Sequence, residues 1–134
     1  AESADSDWAR NFGMNFGIAY QLRNDYLDYF GDDNQTGKNI AEDLSEGKST
    51  LPLIHSYINS SGDDKMTIKN IFDKKIVSDT DKLREIFYRN ESDKYTLEEI
   101  DKYSHNAIKA LDSLDVDNSK NLIDLTRYCS TRTR

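Results

Sequence analysis

The sequence predicts an all-α fold, on three observations. One proline and six glycines in 134 residues leave little of the turn chemistry that sheets need. Apolar residues recur three and four positions apart through most of the chain, the period of an amphipathic helix. The runs between these segments are acidic and rich in Ser, Asn and Asp, as connectors are.

A first helix is expected over about residues 5–30, ~40 Å long at about 1.5 Å per residue. At 100° per residue, Trp8, Phe12, Phe16, Ala19, Arg23, Tyr26, Leu27 and Phe30 fall on one broad side. Gly17, Gln21, Asn24, Asp25 and Asp28 fall on the other, with Tyr20, Leu22 and Tyr29 on the flanks. A helix apolar nearly all round belongs inside a bundle, and its polar stripe must face a cavity or a partner. Gly31 ends it in the C-terminal glycine position. Residues 32–49 read as an ordered loop, with a helical turn near 40–44.

Thr50 is placed as the N-cap of a second helix reaching about residue 58, with Pro52 in its first turn. Three further segments read as helices over about 64–74, 80–89 and 119–130. Between the last two, Thr96 and Glu99 form a capping-box pattern that opens a helix running to about 114. No internal repeat is present.

With 36% hydrophobic and 32% charged residues the chain is foldable, and its length suits one domain or part of one. No apolar run nears the roughly 20 residues of a membrane span. A net charge of −7 with no basic face argues against nucleic acid as a partner. The lone Cys129 excludes a disulfide framework, which with the lack of a secretory leader suits a cytoplasmic protein. The abrupt start, without methionine, suggests a piece of a larger chain.

Asn24, Asp25 and Asp28 stand at i, i+1 and i+4, so all three reach one side of one helical turn. Magnesium takes hard oxygen ligands, often one or two carboxylates plus substrate phosphates. Lys38 and Lys48 each follow a glycine in the loop beyond, and ammonium groups there can hold phosphate oxygens. Taken singly, such acids are more often a solvated helix face and such lysines ordinary surface lysines. Gly13 and Gly17 each cost the helix about 1 kcal/mol against alanine. They imply close approach of a neighbouring helix or, at Gly17, of a ligand. His55 and His105 have no metal-ligand spacing.

The order of these features is more specific than any one of them. Gly17, Tyr20, Gln21, Asp25 and Asp28 resemble the second aspartate-rich region of the trans-type polyprenyl diphosphate synthases, Gly-x-x-Phe-Gln-x-x-Asp-Asp-x-x-Asp, with Tyr for Phe. Gly37-Lys38, Asp43-Leu44, Gly47-Lys48 and Thr50-Leu51-Pro52 follow in that family's order. Gly37-Lys38-Asn39 and Leu51-Pro52-Leu53-Ile54-His55 look most like its bacterial long-chain branch, the octaprenyl diphosphate synthases that make ubiquinone precursors.

The resemblance implies an isoprenoid-synthase helical bundle, of which residues 1–134 are the C-terminal part. It implies a magnesium-dependent prenyltransferase that extends an allylic prenyl diphosphate with isopentenyl diphosphate, and a homodimer when full-length. By the same resemblance Asn24, Asp25 and Asp28 serve the metal, and Lys38 and Lys48 contact the allylic diphosphate. Tyr20 and Gln21 line the isopentenyl site. Asp25, Asp28, Lys38 and Lys48 are then the catalytic set. Two departures stand out. Asn24 replaces an aspartate, in a pattern (Asn24, Asp25, Asp28, Asp32) echoing the metal motif of the related terpene cyclases. The first Asp-Asp-x-x-Asp motif is absent, so the chain alone is expected to be inactive. A catalytically silent partner subunit that binds prenyl diphosphate or an active synthase is the alternative.

Overall fold

A computed structural model describes residues 2–31, 50–74, 80–114 and 116–131. The expected turn near 40–44 lies outside these residues, as do both Gly-Lys pairs. Six α-helices and one 3-10 turn account for the described residues, with no strand among them. They are α1 (Glu2–Phe30), α2 (Leu51–Asn59), α3 (Gly62–Lys74), α4 (Thr80–Arg89), α5 (Ser92–Lys109) and α6 (Val116–Thr131). The 3-10 turn, Ala110–Ser113, links α5 to α6. The all-α expectation is met.

The chain divides into two compact units, Asn24–Thr96 and a second made of Ala1–Arg23 and Leu97–Arg134. The Asn24–Thr96 unit holds the larger core. Tyr29, Leu53, Ile68, Ile71, Leu83, Ile86 and Phe87 are buried together, with Phe30, Tyr57 and Phe72 packed against them. Within it α2 packs against α3 and α4. The end of α1 is anchored to α4 by rings: Phe87 meets Tyr29 edge-on at 5.1 Å and Phe30 at 5.7 Å. Such pairs add about 0.5–1.5 kcal/mol each beyond the area they bury. Arg89 at the end of α4 makes a two-pronged bond to Asp64 in the first turn of α3, at 3.0 and 2.9 Å.

In the other unit Ala19, Ile100, Ala107 and Leu111 are buried. Thr126 is buried in α6 and donates its hydroxyl to the Leu122 carbonyl at 2.8 Å. Met14 and Ile18 on α1, and Leu125 and Tyr128 on α6, are exposed apolar side chains.

Four local expectations are corrected. The capping box at Thr96 does not form, because α5 already begins at Ser92. Thr96 lies one turn inside, fully buried, and donates to the Ser92 carbonyl at 2.8 Å. Glu99 pairs instead with Lys102 at 3.8 Å. Gly31 does follow α1, but without a left-handed φ. Its requirement is steric, since a Cβ there would run into the Leu27 carbonyl oxygen that accepts the Gly31 N–H. Gly13 and Gly17 meet no close neighbour among the described residues: a Cβ at either would have nothing within 4 Å. Thr50 occupies the N-cap position, yet makes no side-chain capping bond.

Candidate functional site

The last two turns of α1 carry the acidic residues. Asp25 is buried, at 8% exposure, and Asn24 and Asp28 are half-buried. The helix explains the difference. Asp25 stands one turn before Tyr29, which faces the core of its unit, and Asp28 lies 60° back toward the outer face. One carboxylate is thus withdrawn from water and the other borders it.

Immediately after Asp28 comes Tyr29, 1% exposed. The Thr50 hydroxyl bonds the Tyr29 hydroxyl at 2.5 Å, 21 positions away in the chain. Arg84 of α4 donates from Nε to the Tyr29 carbonyl at 2.9 Å. This carbonyl lies in the last turn of α1, where no intrahelical donor follows. Side chain and main chain of one residue are therefore held from two directions, by the start of α2 and by α4. No local pattern pointed to Arg84. For Thr50 the cap signal was present, but it pointed to the wrong partner.

Tyr20 and Gln21 are exposed on α1 in the other unit. The Arg23 guanidinium lies 4.8 Å from the centre of the Tyr20 ring, a cation–π contact on that helix. Lys38 and Lys48 lie outside the described residues. Of the expected site, then, the described residues bring Asn24, Asp25 and Asp28 onto one helical segment.

Among the described residues no three His, Cys, Asp or Glu side chains are grouped to hold a metal. The Asp25–Asp28 pair, one turn apart, fits an ion that takes only one or two carboxylates and completes its shell with phosphate and water, as magnesium does. It does not fit an all-protein cage.

His55 has a structural part that its isolation in sequence hid. Its Nδ1 lies 2.8 Å from the Ser92 hydroxyl and its ring stacks on Tyr95, 4.2 Å between centroids. Burial holds its pKa below the ordinary histidine value. Beside it runs an apolar groove of about 420 Å³ lined by Leu51, Ile54, His55, Ile58, Asn59 and Tyr95. Among the described residues, none of the expected site residues lines this groove. No described helix is long and apolar enough to cross a membrane.

The sequence profile of the polyprenyl synthetase family matches residues 1–89. A nonaprenyl diphosphate synthase of Rhodobacter capsulatus is 32% identical over 124 residues, 92% of this chain and 38% of its own. The octaprenyl diphosphate synthase of Escherichia coli is 38% identical over 65 residues, 48% of this chain and 20% of its own. Among solved structures, a polyprenyl synthase of Caulobacter crescentus matches with a TM-score of 0.82 and 28% identity. That match covers all of this chain and 42% of the other, which was crystallised with calcium and isoprenyl diphosphate. The chain thus spans well under half the length of these relatives.

Proposed function

The chain belongs to the polyprenyl synthetase family, and on that premise we propose that it is the C-terminal, diphosphate-binding part of a long-chain prenyltransferase. The complete protein, in this reading, extends an allylic prenyl diphosphate with isopentenyl diphosphate, with a product of octaprenyl length, a ubiquinone precursor. The observation that carries the reading is the acid pair on α1, with Asp25 shielded from water and Asp28 beside it. Two carboxylates one turn apart, one of them withdrawn from bulk water, suit an ion that takes one or two protein carboxylates and completes its shell with phosphate and water. The calcium and isoprenyl diphosphate of the Caulobacter relative are consistent with such a ligand.

Asp25 and Asp28 would hold magnesium, with the Asn24 amide oxygen as a neutral third donor. Held by these residues, the ion would supply charge neutralisation for the diphosphate leaving group. Lys38 and Lys48 would bind further diphosphate oxygens and orient them. Tyr20 and Gln21 would line the isopentenyl site. The apolar bundle would keep water from the allylic cation formed when diphosphate departs. Exposed Met14 and Ile18, beside the open glycines 13 and 17, support a C-terminal part whose α1 is covered in the complete domain. A cytoplasmic homodimer is the assembly proposed for that full-length form.

The test is isopentenyl incorporation into an allylic primer by the complete protein across magnesium concentrations. Incorporation is expected, and Asp25→Ala or Asp28→Ala should each lower it about 100-fold or more, the scale of losing one charge-stabilising group. A complete protein inactive at every magnesium concentration sinks the enzyme reading. Asn24 specifically favours a second reading, a silent subunit that binds prenyl diphosphate or an active synthase. In that case magnesium-dependent diphosphate binding survives without turnover.

A further inference from the structure

We propose that Tyr29 and Thr50, backed by Arg84, form a positioning clamp for diphosphate binding. The clamp sets the acid-bearing end of α1 against the start of α2. It rests on the diphosphate reading above and adds to it three residues that act by positioning.

The first ground is what Thr50 forgoes. A threonine at an N-cap ordinarily turns its oxygen to the N–H groups of the first helical turn. Thr50 has the extended backbone of an N-cap, φ −86° and ψ 159°, and its carbonyl accepts the Ile54 N–H at 3.1 Å. Its hydroxyl nevertheless goes to Tyr29. Pro52 already stands in the first turn, where it removes one of the donors a cap would serve. With that donor gone the competition for the hydroxyl is weaker, and Tyr29 takes it.

The second ground is where the contact sits. Tyr29 directly follows Asp28 and lies one turn beyond Asp25, so its orientation sets the rotation of α1 at both acids. Thr50 closes the sequence Gly47-Lys48-Ser49-Thr50, two positions after one expected diphosphate ligand. The hydroxyl bond and the Arg84 bond to the Tyr29 carbonyl fix opposite ends of the same residue. Rotation of the helix end and its slide along the axis are both restrained. Ligands that share one ion and one diphosphate demand such placement, because a displacement of about 1 Å costs affinity and rate.

A bond serving stability alone would behave differently when both partners lose their hydroxyls together. Replacing both hydroxyls together by apolar groups of the same shape deletes the bond without stranding one member of the pair against the other, the least costly way to remove it. The experiment compares the parent, Tyr29→Phe/Thr50→Val and Asp25→Ala in the complete protein. Magnesium-dependent binding of inorganic pyrophosphate is measured by calorimetry beside thermal melts. The double variant should keep a cooperative melt close to the parent's, while its Kd for pyrophosphate rises about tenfold, and Thr50→Ser should bind like the parent. A double variant within about twofold of the parent's Kd overturns the clamp, as does affinity lost only together with the melt. If the parent itself binds no pyrophosphate and matches Asp25→Ala, the diphosphate reading falls and the clamp with it. A parent that binds beside an equally competent double variant sinks the clamp alone.

Discussion

Asn24 and His55 are the two residues whose chemistry leads furthest from where they stand. Asn24 offers a neutral oxygen beside the carboxylates of Asp25 and Asp28. A charge at that position should strengthen the local hold on a divalent ion. Asn24→Asp is therefore expected to lower the magnesium concentration giving half-maximal pyrophosphate binding, by about threefold to tenfold, roughly 0.6–1.4 kcal/mol. An unchanged magnesium titration would remove Asn24 from the ligand set. His55 joins α2 to the first turn of α5 through Ser92 and Tyr95. Its burial favours the neutral ring, so the folded pKa lies below that of the unfolded chain. As pH falls through about 6.5 the unfolded state takes up the proton first, and stability drops until the folded ring also protonates. Denaturant melts between pH 7.5 and 5 should show this loss, and His55→Asn should flatten the part of the slope that the imidazole supplies.

At the scale of elements, α1 carries two different surfaces. Its end is tied into a core by Tyr29 and Phe30, while Gly13 and Gly17 look onto open space. A glycine inside an exposed helix lowers stability by about 1 kcal/mol relative to alanine. Gly17→Ala should therefore raise the unfolding free energy of this chain by about that amount, read from urea melts. In the complete protein the same change should fail to stabilise, since the proposed covering helix would meet the new methyl. Stabilisation of equal size in both would mean that nothing packs there. The start of α5 teaches a related point. Thr96 and Glu99 match a capping box letter by letter, yet helix formation begins a turn earlier, after Glu91 in the left-handed region at φ 54°. Burial of Thr96 overrode its capping preference.

Across the whole molecule, two compact units share the chain, and the one spanning Asn24–Thr96 carries both the acid pair and its clamp. Leu53 and Ile86, both 0% exposed, sit in the core that holds Tyr29. Leu53→Ala is expected to cost about 2–5 kcal/mol, the range for emptying a packed leucine site. Because Tyr29 belongs to the same core, pyrophosphate binding should weaken with it, and calorimetry beside a melt would record both. A leucine removed at that cost with binding intact would separate the core from the site.

Sequence by itself determined the helices and the stripe. Periodicity, the proline of α2 and the i, i+1, i+4 spacing of Asn24, Asp25 and Asp28 act within a turn or two, and short-range rules read them directly. The ordered Gly-Lys and Thr-Leu-Pro motifs pointed to the family. Tertiary structure alone decided that Asp25 is the buried acid, and that Thr50 serves Tyr29 rather than its own helix. It also brought Arg84 to the end of α1 and His55 to Ser92. These pairings join residues 21, 55 and 37 positions apart. A hydroxyl, a guanidinium or an imidazole carries no mark of a partner that far along the chain, and only packing selects among those within reach.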